Sequence, residues 1–153
     1  MPIGSRKRRG SAGSVRREVF VNALAGITEA AYLAAAADGV VTDQEYEMIA
    51  GIIVDRCDGN VTVRGVRDIL AACAQAFEEE GFDARMDQIA GTLPDAEAQV
   101  AALYAASDVI MGDDEYDAES EGAFYDDLAE KLGFSEELAA EIWNNQLENY
   151  GWT

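Results

Sequence analysis

Carboxylates recur in this chain at a spacing that would suit a hard cation. The stretch Asp38-Gly39-Val40-Val41-Thr42-Asp43-Gln44-Glu45-Tyr46 is answered seventy positions later by Asp108-Val109-Ile110-Met111-Gly112-Asp113-Asp114-Glu115-Tyr116. Asp38 corresponds to Asp108, Asp43 to Asp113, Glu45 to Glu115 and Tyr46 to Tyr116, with apolar pairs between them. Ions such as Ca²⁺ and Mg²⁺ take oxygen ligands, which this chain has in excess. An acid before a turn and another seven residues later converge where the turn folds back, and the carbonyls of Gly39 to Val41 are at hand to complete a shell. Neither copy is an EF-hand, because neither alternates oxygen ligands around a glycine at position six. The candidate metal ligands are therefore Asp38, Asp43, Glu45, Asp108, Asp113 and Glu115.

Helix capping competes for the same residues. Thr42-Asp43-Gln44-Glu45 reads as a capping box, in which Thr42 and Glu45 each accept from the other's backbone N–H. A cap of this kind contributes about 0.5–2 kcal/mol, and acids in a first helical turn are favoured by the macrodipole. Capping thus covers Thr42, Asp43, Glu45, Asp113 and Glu115 without any ligand. Asp38 and Asp108 fall where the preceding helices are expected to end, and negative charge there is mildly unfavourable. Each of those two needs a partner.

Other chemistry finds little support. The chain has no histidine, and its two cysteines, Cys57 and Cys73, stand sixteen apart with no Cys-x-x-Cys. That speaks against zinc and against a redox dithiol; both thiols are expected to be small buried apolar groups. Paired carboxylates can perform acid–base work. No activated nucleophile or phosphate-cradling glycine loop accompanies them, and the expectation is that the chain is not an enzyme.

Charge divides the chain in two. Residues 1–17 hold six of its eleven Lys/Arg and no acid, while the remainder carries five bases against thirty acids, a net of -25. Such a body repels nucleic acid and anionic membranes and attracts cations, basic proteins or its own basic segment. Nucleic acid is expected only as a weak, salt-sensitive contact of residues 1–17. No apolar stretch follows the basic one as in a signal peptide, and no run approaches the roughly 20 apolar residues that span a bilayer, so a cytoplasmic location is expected.

The elements that must position these residues are helices. Alanine is abundant, alternating β-branched runs are nearly absent, and the only prolines are Pro2 and Pro94. Residues 1–17 read as a disordered basic tail and 18–153 as one domain, long enough to bury a core. Apolar spacing predicts a first helix over about 15–37 and a second from Asp43 to Cys57. A third starts after Thr62, a short fourth carries Met86, Ile89 and Leu93, and a fifth runs from Pro94 to Ser107. A sixth is expected over about 113–132, and a last one is capped by Ser135. Glu78-Glu79-Glu80, at the end of the third, oppose the helix dipole and have no assigned role.

With those elements in place the chain resembles the TerB-like tellurite-resistance domain. The resemblance rests on Asp38, Gly39, Val41 and Glu45 after an alanine-rich helix, on Asp108 and Glu115 in the second copy, and on Leu132-Gly133-Phe134-Ser135. It covers about residues 18–147 and departs from the pattern where Val109 replaces the usual glycine. It implies an all-α, single compact domain of about seven helices with internal pseudo-two-fold duplication. It further implies a non-enzymatic module in tellurite resistance and stress response, binding a divalent cation or a protein partner through two acidic inter-helix turns. The partners implied are Ter-type proteins, some of them membrane-associated. The alternative is a pure interaction or scaffold module whose acidic turns are only helix caps.

Overall fold

The computed structural model describes residues 15–37, 39–112 and 118–151, the last of these in side-chain detail from residue 122. Eight α-helices and one 3₁₀ turn account for most of them, and no strand occurs among the described residues. In chain order they are α1 (Arg17–Asn22), α2 (Leu24–Ala36), α3 (Asp43–Arg56), α4 (Val63–Glu80), α5 (Phe82–Gln88), the 3₁₀ turn Ile89–Thr92, α6 (Ala96–Gly112), α7 (Ala118–Lys131) and α8 (Glu136–Tyr150).

The two alanine-rich helices form the centre. α2 and α6 share the most extensive helix–helix contact, and both are buried nearly all round, from Gly26 to Ala36 and from Ala101 to Gly112. A helix apolar on every side belongs inside a core. Alanines at 30, 31, 34 and 35 and at 101, 102, 105 and 106 are small enough to let the two backbones approach. Gly26 carries this furthest, since a Cβ there would lie 2.6 Å from the Thr92 carbonyl oxygen of the 3₁₀ turn. The other helices wrap this pair: α3 and α4 pack on each other and on the centre, and α7 and α8 pack on α6.

Helix boundaries follow local chemistry. Thr42, Thr62 and Ser135 accept from the N–H groups of Glu45, Gly65 and Leu138, and Asp95 accepts from Ala98 at the start of α6. Gly39, with φ 128°, carries the chain out of α2 through a conformation that side chains avoid. The single first helix expected from apolar spacing is instead two. Ala23, at φ -118° and ψ 34°, breaks the helical path, so α1 packs against α3 and α6 while α2 stays in the centre. The fifth helix does not stop at Ser107 either. α6 continues through Asp108 to Gly112, with every residue from Ala101 onward buried.

An aromatic line crosses the fold. Tyr46 (α3), Tyr32 (α2), Phe77 (α4), Phe82 (α5) and Phe124 (α7) follow one another at ring-centroid distances of 6.1, 5.9, 6.4 and 6.1 Å. Tilted and edge-on pairs of this kind contribute roughly 0.5–1.5 kcal/mol each beyond their buried area. Burial, with the Tyr46 hydrogen bond second, raises the Tyr32 phenol well above its ordinary range.

Candidate functional site

Asp108 has its partner, and it is a side chain. The residue is 1 % exposed, within α6 and four positions before its end, rather than at a helix terminus. Arg56, the last residue of α3, donates from Nε to Oδ2 at 2.7 Å and from Nη2 to Oδ1 at 3.0 Å. Gln146 Nε2 and the Tyr150 hydroxyl, both on α8, donate to Oδ1 at 2.7 and 2.8 Å. The guanidinium lies 5.5 Å from the Phe20 ring centroid and 5.2 Å from that of Tyr104. Burial presses the Arg56 pKa down, but the charge and hydrogen bonds of Asp108 outweigh it and leave it raised. Arg56 therefore keeps its charge, and the cluster around it ties α1, α3, α6 and α8 together.

This corrects the expectation that Asp108 awaits a cation at a turn. A ligand would have to displace Arg56 and strand a buried guanidinium, which is expensive. Glu45 is elsewhere. It closes the capping box, accepting from Thr42 N–H at 2.9 Å while its own N–H donates to Thr42 Oγ1 at 3.1 Å. Eleven residues of α3 separate Glu45 from Arg56, about 16 Å along the axis. Asp108 and Glu45 so lie at opposite ends of α3, far beyond one ion's coordination shell of roughly 2.3–2.6 Å. Asp43 is exposed in the first turn of α3. Asp38, Asp113 and Glu115 lie outside the described residues. Among the described residues, no group of three or more His, Cys, Asp or Glu could hold a metal ion.

A second carboxylate–guanidinium pair was not anticipated from the chain. Glu29, 5 % exposed on α2, accepts from Arg85 Nε at 2.7 Å and Nη2 at 2.9 Å. Arg85 also reaches Glu80, whose carboxyl is held below its usual range by hydrogen bonds from Gln88 and Arg85. The signal was present in the sequence: Glu29 interrupts the small and apolar run of α2, as Asp108 interrupts that of α6. Cys57 and Cys73 are free, buried thiols, and burial pushes them up to about 11 and about 12.

What the structure does bring together is a groove of about 790 Å³ between α3 and α4. Its floor is apolar, with Tyr46, Leu70, Ala71 and Ala74, and its rim carries Asp43, Glu47, Glu78 and Glu79. Arg67, the one base among the described residues of the lining, is paired with Glu47. The acids at the end of α4 thus meet those at the start of α3, although some thirty residues separate them in sequence. No known family, curated protein or solved structure matches this chain.

Proposed function

We propose that this chain is a non-enzymatic, TerB-like interaction module that docks a basic protein segment in the groove between α3 and α4. The observation that carries the reading is the groove itself: a concave apolar floor of Tyr46, Leu70 and Ala74 under four rim carboxylates. An amphipathic helix seats its apolar face in such a groove, and Lys or Arg along its flanks meets the acids. A body with net charge -25 also speeds the approach of a basic partner.

The TerB-like part of the reading rests on the sequence motifs, and the pairing of the two alanine-rich helices, each followed by acidic positions, is compatible with a duplicated origin. Under it the partner is a Ter-type protein, the setting is tellurite or other chemical stress, and the place is the cytoplasm. A divalent cation is the competing ligand. Of the six carboxylates first considered, Asp43 is the described one that stands exposed and outside a cap or ion pair.

The test uses an amphipathic peptide with Lys on one face and Leu on the other, titrated calorimetrically into the full chain. Neutralising Asp43, Glu47, Glu78 and Glu79 to their amides should weaken binding at least tenfold. Neutralising four exposed acids away from the groove (Asp83, Glu137, Glu141 and Glu148) should cost much less. Equal losses from both variants would reduce the groove to a share of the general negative field and sink the proposal.

A further inference from the structure

A second concavity has different chemistry. The cleft between α7 and α8, about 520 Å³, is walled by Tyr125, Phe134 and Trp143 and rimmed by Asp126, Asp127, Glu130 and Glu136, with no base among the described residues of its lining. Tyr125 and Trp143 have ring centroids 4.7 Å apart. The Tyr125 hydroxyl donates to the Ala139 carbonyl at 2.7 Å, which fixes the aromatic wall to α8. Aromatic faces beside carboxylates select a cation with a flat, weakly hydrated head, which is arginine. Four rim acids ask for more than one such charge.

The same sequence contains a matching segment. Arg6-Lys7-Arg8-Arg9 concentrates four bases in four residues. The residues that follow it run beside α6: Arg16 pairs with Glu97 in the first turn of α6 at 3.4 Å, and Arg17 pairs with Asp58 at 3.2 Å, both on the surface. The seven residues from Arg9 to Arg16 span up to about 25 Å, close to the length of α6, on whose flanks α7 and α8 pack. A tethered segment meets its site at a high effective concentration, so even modest contacts suffice.

We infer that the α7–α8 cleft is the receptor for the chain's own basic run at residues 6–9, one arginine entering against the part-exposed Trp143, which the buried Tyr125 backs, while the rim carboxylates hold its neighbours. This is independent of the α3–α4 groove, although an occupied cleft would withdraw the run from competition for that groove.

The experiment follows the Trp143 indole N–H by nuclear magnetic resonance in the ¹⁵N-labelled full chain, assigned with Trp143→Phe. Replacing Arg6, Lys7, Arg8 and Arg9 with Gln should shift that resonance. Neutralising Asp126, Asp127, Glu130 and Glu136 to amides should abolish the response to the first replacement, and neither shift should depend on protein concentration. An unmoved Trp143 resonance would overturn the inference. A concentration-dependent shift would assign the cleft to a second copy's basic run and overturn it equally, and a response confined to the Ala71 and Ala74 backbone N–H groups would move the run to the other groove. Failure of the amphipathic peptide to bind, with Trp143 still responding, would remove the α3–α4 reading alone.

Discussion

Arg56 and Asp108, 52 residues apart in sequence, close a two-point ion pair with 3 % and 1 % side-chain exposure. Four hydrogen bonds reach the carboxylate, because Gln146 and Tyr150 add two on Oδ1 to the two from Arg56. In such a pair the cost of removing one charge exceeds the gain from having both, since the survivor is left buried and unpaired. Arg56→Met or Asp108→Leu alone should therefore cost about 3–5 kcal/mol in urea unfolding. The double variant should recover much of that loss, because neither charge remains to be desolvated. Single losses below about 1 kcal/mol would mean that water reaches the pair.

The capping box makes a sharper statement about cations. Thr42→Ala should cost about 0.5–2 kcal/mol, because the Glu45 N–H loses its acceptor. Glu45→Gln should cost far less, since an amide oxygen still accepts from the Thr42 N–H. A metal ligand would behave otherwise. On the reading favoured here, Ca²⁺, Mg²⁺ and Mn²⁺ raise the melting temperature by similar small amounts, and the Asp43→Asn/Glu45→Gln variant responds as the native chain does. A large shift for one ion, abolished in that variant, would restore the cation site; a ligand at about 100 times its Kd adds about 2.7 kcal/mol.

The buried thiols set an alkaline limit. Burial holds Cys57 and Cys73 protonated up to about 11 and about 12, against an ordinary value of 9.0. Below pH 9 both states keep the proton, and these groups leave stability unchanged with pH. Above pH 9 the unfolded chain loses protons that the folded chain retains, so stability falls as pH rises toward 11. Replacing both cysteines with Ala should flatten that slope, at a small cavity cost. Iodoacetamide at pH 8 should label neither thiol in the native chain and both in urea.

Much of this fold was legible in local pattern and little of its wiring was. Thr42, Thr62 and Ser135 act as caps because a cap needs only a hydroxyl and the next three residues. The centre made by α2 and α6 follows from two alanine-rich runs. The break at Ala23 left no mark, since no Gly or Pro stands there and the redirection is imposed by packing. The continuation of α6 through Asp108 was hidden for the opposite reason. A charge near an apolar run's end reads locally as a helix terminus, and only Arg56, on another helix, makes it a core residue. The groove needed α3 and α4 to lie side by side before Glu78 and Glu79 had any reason to be grouped with Asp43.

Two glycines on helices should respond in opposite directions to the same change. Gly51 lies on the exposed face of α3, and a Cβ built there meets nothing within 4 Å. Gly51→Ala should stabilise by about 0.5–1 kcal/mol, through helix propensity and the smaller entropy of the unfolded chain. Gly26 lies on α2 against the 3₁₀ turn, where a Cβ would come within 2.6 Å of the Thr92 carbonyl and 2.9 Å of Leu93 Cδ2. The Leu93 side chain can rotate, but the Thr92 backbone moves only if the turn shifts away from α2. Overpacking of this kind costs about 1–3 kcal/mol, more than the roughly 1 kcal/mol that propensity returns. Gly26→Ala should thus be net destabilising, in the range from near zero to about 2 kcal/mol, and should loosen the 3₁₀ turn in amide exchange. Equal stabilisation by both substitutions would show that α2 and the turn at Ile89–Thr92 are not in close contact.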